Sequence, residues 1–135
     1  MAKRISEIEG IGTKTSAALR GAGVKTVEDL LATACDRKGR ALLSQKTEIT
    51  ESRLLKCVNM ADLFRIKGVA GQYAELLESA GVDTVKELKH RNAENLVAKM
   101  NEVNTDKSLV RKTPSIRIVS SWIEQAKTMP AKISH

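Results

Sequence analysis

Residues 8–12 read Ile8-Glu9-Gly10-Ile11-Gly12, and 58 positions later residues 66–70 read Ile66-Lys67-Gly68-Val69-Ala70. The likeness extends over residues 8–30 and 66–88, which we call the first copy and the second copy. Nine of their 23 paired positions are identical, whereas chance gives about one or two. The shared residues are two glycines, one threonine and six apolar residues, of the kind that form turns and helix caps. This repeat predicts two similar structural units and favours a binding module over an enzyme.

Length and composition indicate a small globular protein. The chain has 135 residues, of which 41% are hydrophobic and 29% charged, a balance typical of folded rather than disordered chains. Halves of about 60 residues are marginally stable alone, so we expect them to share one core. The predicted organisation is a first repeat at 1–61, a second at 62–128 and a C-terminal tail at 129–135.

The hydrophobic pattern predicts helices nearly throughout, and therefore an all-α fold. No segment alternates strictly between apolar and polar residues, whereas apolar residues recur at helical spacing, as in Leu54, Val58 and Ala61, in Leu96, Met100 and Val103, and in Ile116, Val119, Ile123 and Ala126. We predict five helices in each half, packed as one compact domain. They span 3–9, 13–22, 26–34, 37–45 and 51–60 in the first half, and 62–67, 71–80, 85–91, 93–103 and 115–127 in the second.

Local signals place the helix ends. The pairs Thr26 with Asp29 and Thr84 with Glu87 have the spacing of capping boxes. Asn92 is predicted to cap the next helix, and Thr113 with Pro114 to begin the last one. The polar stretch 104–108 is predicted to be a loop.

The net charge of +7 favours acidic partners such as nucleic acid. The excess is shared, with +3 on residues 1–62 and +4 on residues 63–135, so each half has charge for its own basic patch. Basic residues that extend such a patch are Lys3 and Arg4, the run 37–40, and Lys107 through Arg111 and Lys112. A solvated polar surface accounts for each of these equally well.

The sequence contains no pattern typical of a catalytic or metal site. Cys35 and Cys57 fall in predicted helices without a Cys-x-x-Cys spacing, and we expect them to be buried free thiols. His90 and His135 lie at a helix end and the chain end, away from any nucleophile motif. The carboxylates are scattered. We therefore expect no metal, no cofactor and no enzymatic activity.

Two further expectations follow from composition. The aromatic residues are only Phe64, Tyr73 and Trp122; Phe64 and Trp122 occupy apolar positions predicted to be core, so no stacking platform for single strands is expected. No run of about 18 apolar residues or signal-peptide pattern occurs. We therefore expect a cytoplasmic protein without a membrane partner.

The two segments 8–19 and 66–77 resemble the helix-hairpin-helix motif, in which an apolar residue and two glycines separated by an apolar residue precede a helix. Glycine permits a tight turn between the helices. The apolar residue between the glycines, Ile11 or Val69, is expected to point into the core. The first amides of the following helix are then available to phosphate. Each copy continues through a second turn, in which Gly23 or Gly81 is expected to end a helix in the left-handed conformation.

Over nearly the whole chain, the pattern is similar to the tandem helix-hairpin-helix family known as the domain of unknown function 4332. The wider helix-hairpin-helix group binds duplex DNA without regard to sequence, through hairpin amides and flanking basic residues. The resemblance implies the same partner here. By position, the candidate contacts are Gly10, Gly12, Thr13 and Lys14 in the first copy, and Lys67, Gly68, Ala70, Gly71 and Gln72 in the second.

The second copy departs from this pattern at two places. Ala70 replaces the second glycine, and Gln72 stands where Lys14 supplies charge in the first copy, although Lys67 restores part of that charge. The first copy is therefore expected to be the better phosphate site. The alternative function is a protein-interaction adaptor in which the hairpins are purely structural.

Overall fold

In a computed structural model, the protein is all-α, as predicted. The structure describes residues 4–8, 11–69 and 71–134. These contain a short 3-10 helix at Ile5–Glu7, eight α-helices and no strand, apart from one isolated bridge between Arg4 and Thr26. The α-helices are α1 (Gly12–Gly21), α2 (Val27–Ala34), α3 (Arg37–Thr47), α4 (Glu51–Leu63), α5 (Gly71–Ser79), α6 (Val85–Leu88), α7 (Ala93–Lys107) and α8 (Ile116–Lys127).

The chain divides into two compact units. The first comprises Met1–Asp62 together with Lys132–His135, and the second comprises Leu63–Ala131. A core shared between the halves stays a prediction.

In the first unit, α3 packs against α1 and α2. Apolar residues at helical spacing are buried there, including Leu19, Val27, Leu30, Ala34 and Leu43. The C-terminal segment also belongs to this unit, because the Ser134 N–H donates to the Cys35 carbonyl at 2.8 Å. Buried Arg40 donates to the Ala34 carbonyl at 3.0 Å and to the Ser134 carbonyl at 2.8 Å.

In the second unit, α7 packs against α5 and α8, and α6 packs against α8. Trp122 is 2% exposed and its ring lies against that of Tyr73, with centroids 5.6 Å apart. Phe64 is also buried, so both residues are core, as predicted.

Of the two cysteines, Cys57 is buried but Cys35 is only half-buried, because it lies just beyond the end of α2.

The same turn follows α1 and α5. The Val24 N–H donates to the Leu19 carbonyl at 2.9 Å, and the Val82 N–H donates to the Leu77 carbonyl at 2.8 Å. Each of these bonds spans a glycine with positive φ: Gly23 has φ 89° and Gly81 has φ 96°. The prediction of left-handed glycines at both positions is confirmed, because only glycine adopts this region without a steric cost.

The threonine caps are also present. The Thr26 hydroxyl accepts the Asp29 N–H and the Asp29 carboxylate accepts the Thr26 N–H, which completes a capping box. The pKa of the Asp29 carboxyl is lowered by the Lys25 N–H first, and then by the hydroxyl and N–H of Thr26. At α6, the Thr84 hydroxyl accepts the Glu87 N–H at 3.2 Å, which is one of the two bonds of the predicted capping box.

Three local predictions are wrong. Residues 104–107 are the last turn of α7 and not a loop, because the Asn104 side chain bonds both the N–H and the carbonyl of Val110 and so fixes the chain after the helix. No separate helix spans 62–67: α4 ends at Leu63, and single turns follow. Ser115, not Thr113, caps α8, since its hydroxyl accepts the Ile118 N–H; Ile116 consequently lies in the first turn and is 47% exposed.

Candidate nucleic-acid interface

In the first glycine turn, which we define as residues 8–14, the described apolar residues face inward and the described polar residues face outward. Ile8 and Ile11 are buried, and the Ile11 N–H donates to the Ile8 carbonyl at 3.3 Å. Gly12 follows with φ 73°, and Thr13 and Lys14 are exposed in the first turn of α1. The inward direction predicted for Ile11 is therefore confirmed. Gly10 lies outside the described residues.

The start of α1 differs from most other helix starts in this chain. Ile11 occupies the N-cap position, and its apolar side chain makes no capping hydrogen bond. At the start of six other helices, a side-chain oxygen accepts a hydrogen bond from a backbone N–H of the first turn. The accepting residues are Thr26, Asp36, Thr50, Thr84, Asn92 and Ser115. The first turn of α1 therefore presents amides that other groups can bind.

The second glycine turn, residues 66–72, has the same inward residues. Ile66 and Val69 are buried, and the Val69 N–H donates to the Ile66 carbonyl at 3.1 Å. Exposed Gly68 has φ 99°. Gln72 is exposed in the first turn of α5, which begins at Gly71. Ala70 lies outside the described residues.

Helix α8 holds the second glycine turn in place. The Gln125 side-chain amide accepts the Lys67 N–H at 2.8 Å and donates to the Lys67 carbonyl at 3.1 Å. A Cβ added to Gly68 would lie 3.1 Å from Nε1 of Trp122. The backbone of Lys67 is therefore already bonded within the protein, and only its exposed side chain is available to a phosphate.

A groove of about 460 Å³ adjoins the first glycine turn. Its wall on α1 includes Lys14 and Thr15, and its opposite wall is the segment Thr47–Thr50 with Arg53. Glu48, which has φ 63° at the end of α3, also lines the groove. Two cations and one carboxylate therefore share this groove.

A groove of about 580 Å³ adjoins the second glycine turn at the corresponding place. Gln72 and Tyr73 of α5 form one wall, and residues 108–112, which follow α7, form the other. Ser108 has φ 51° and takes the position that Glu48 has in the first groove. Arg111 and Lys112 are exposed in the same groove. The second copy has neutral Gln72 where the first copy has Lys14, but Arg111 and Lys112 bring positive charge to the groove that Gln72 lines.

Two residues have surroundings that the sequence did not predict, Tyr73 and Arg40. Tyr73, counted among the aromatic residues from which no stacking platform was expected, stands where the first copy has Thr15 and lines the groove beside α5. Arg40, expected as part of a basic patch at 37–40, is 4% exposed and bonded to backbone carbonyls. The local sequence does not predict the burial of Arg40, because that burial depends on a contact with Ser134, which lies 94 positions away in the chain.

Within residues 4–8, 11–69 and 71–134, no group of three or more His, Cys, Asp or Glu residues has an arrangement that holds a metal ion. Over the same residues, no helix has the length and apolar character needed to span a membrane.

Comparison with known proteins identifies the family of this chain. The model of a family described as a domain of unknown function (DUF4332) matches residues 9–129, which is most of the chain. No curated protein and no solved structure matches the chain.

Proposed function

We propose that this chain, which belongs to the DUF4332 family, is a non-enzymatic module that binds duplex DNA without regard to sequence. The observation that carries the proposal is the start of α1, where Ile11 at the N-cap position provides no capping side chain and the first turn is exposed beside Lys14. The amides of an uncapped helix start and a neighbouring cation together attract phosphate oxygens.

The internal repeat also supports this proposal. The turns at 8–14 and 66–72 bury equivalent apolar residues and place exposed polar residues after them. We propose that both are helix-hairpin-helix turns, each contacting the DNA backbone. Contacts of this kind position a protein on the duplex without reading the bases.

The two turns are proposed to contribute unequally. The first has Gly12 with φ 73° and an adjacent cation, Lys14. In the second, Gln72 is neutral and the Lys67 backbone is bonded to Gln125. Residues Gly12, Thr13 and Lys14 therefore form the stronger proposed contact.

An electrophoretic mobility shift on random duplex, measured over a series of salt concentrations, tests the proposal. Contacts to about four to six phosphates predict that the logarithm of the binding constant falls with the logarithm of salt concentration with a slope of about −4 to −5. Failure to shift the duplex at low salt would instead favour the protein-interaction adaptor.

Three variants locate the binding surface. Lys14→Glu is expected to weaken duplex binding more than Gln72→Glu. Lys86→Glu, at an exposed residue of α6, is the control because it changes the net charge as much as Lys14→Glu does. Melting temperatures of all three are expected to stay close to that of the unmodified protein, since these side chains are exposed. Equal losses for Lys14→Glu and Lys86→Glu would mean that only the overall charge matters.

A further inference from the structure

We infer that the groove beside α5 binds a nucleotide, with the base against Tyr73 and the phosphate against Arg111 and Lys112. This site lies within the second unit and does not rest on the proposed duplex binding. Its volume of about 580 Å³ falls within the range of pockets that hold small organic ligands.

The aromatic wall of the groove is fixed before any ligand arrives. The Tyr73 ring lies against buried Trp122, with centroids 5.6 Å apart and ring planes at 56°. Its hydroxyl donates to the Lys112 carbonyl at 3.3 Å. Since Tyr73 is half-buried and lines the groove, its ring is held in place while part of it remains available for stacking.

The positive charge of the groove is not neutralised within the described part of the chain. Arg111 and Lys112 are exposed, and neither forms an ion pair there. The Tyr73 hydroxyl bonds the Lys112 backbone, and both cationic residues line the same groove as the aromatic ring. An aromatic face and adjacent cations match the two chemical parts of a nucleotide.

Comparison with the groove beside α1 supports this assignment. At the position of Tyr73 that groove has Thr15, and at the position of Ser108 it has Glu48, whose carboxylate repels phosphate. The groove beside α5 therefore has an aromatic residue and lacks the carboxylate. Its chemistry is specific to the second unit.

Calorimetric titration of the full-length chain tests the site. The probes are thymidine monophosphate, thymidine, inorganic phosphate, a single-stranded oligothymidylate and a blunt duplex. We expect the nucleotide, free or within the single strand, to bind at least about tenfold more tightly than thymidine or phosphate, because both parts of the groove then contribute. Comparison of the monophosphate with the oligothymidylate shows whether the nucleotide is free or part of a strand.

Variants connect the binding to the groove. Tyr73→Leu is expected to weaken nucleotide binding about tenfold, whereas Tyr73→Phe, which keeps the ring, is expected to stay within about threefold. Arg111→Ala is expected to weaken binding of the monophosphate but not of thymidine, with Lys86→Ala as the matched control on the same unit. Emission from Trp122, the single tryptophan, gives a second readout because Tyr73 contacts it.

Two results would overturn the inference. One is the absence of binding by both thymidine monophosphate and oligothymidylate. The other is nucleotide binding that Arg111→Ala leaves unchanged; this variant is informative even if Tyr73→Leu fails to fold, because Arg111 is exposed. Binding of the blunt duplex alone would reject this site and leave the proposed duplex function standing.

Discussion

Two glycines in one turn are expected to respond in opposite ways to the same substitution. Gly21 is the last residue of α1 and Gly23 lies in the turn that follows. An added Cβ meets nothing within 4 Å at either residue. The difference between them is conformational, because only Gly23 has a positive φ, 89°.

The magnitudes follow from that difference. Alanine at a left-handed position costs about 1–2 kcal/mol, and loss of chain entropy in the unfolded state offsets about 0.4–1 kcal/mol of this. Gly23→Ala is therefore expected to lower the free energy of unfolding by about 1 kcal/mol. Gly21→Ala is expected to raise it by about 0.5 kcal/mol, since alanine favours the helical conformation.

Thermal melts followed by far-UV circular dichroism measure this contrast. A difference of about 1.5 kcal/mol separates the two variants by about 6 °C in a chain of this size. Gly81→Ala is the replicate in the second unit: its φ is 96°, and its Cβ would make only an ordinary contact with Arg91 at 3.6 Å. A Gly23→Ala protein as stable as the unmodified chain would refute the argument from the left-handed turn.

Two further predictions concern α3 and α2. Gly39→Ala is expected to destabilise the protein by about 1–3 kcal/mol, although alanine normally favours a helix, because the added Cβ would clash with the backbone carbonyl of Thr33; a melting temperature at or above that of the unmodified protein would contradict this. The stabilising effect of Asp29 is expected to be fully present above its unfolded pKa of 3.8 and to be lost as pH falls through its lower folded pKa. The difference in melting temperature between the unmodified chain and Asp29→Ala should therefore shrink between about pH 5 and about pH 2, and a difference that grows on acidification would contradict the sign.

Much of the fold was predictable because it depends on short-range signals. The glycine and threonine positions of the two copies specify turns and caps whose bonds connect residues three to five positions apart, such as Thr26 with Asp29 and Val24 with Leu19. The outward Lys14 and the inward Ile11 follow from the same local pattern. The prediction of a loop at 104–108 failed because a side-chain contact stabilises the end of α7. The Asn104 side chain bonds the backbone of Val110, six positions further on, and this contact forms with residues 104–107 in the helix.

The sequence by itself determined the all-α class, the repeated turns and the exposed start of α1, since each rests on propensities of neighbouring residues. Only the tertiary structure decided which basic residues are available. It buried Arg40 against the C-terminal segment and placed Arg111 and Lys112 in one groove with Tyr73, 39 positions from Lys112. Such placements depend on contacts between residues far apart in the chain, and periodicity does not encode them because it reports only which face of a helix is buried.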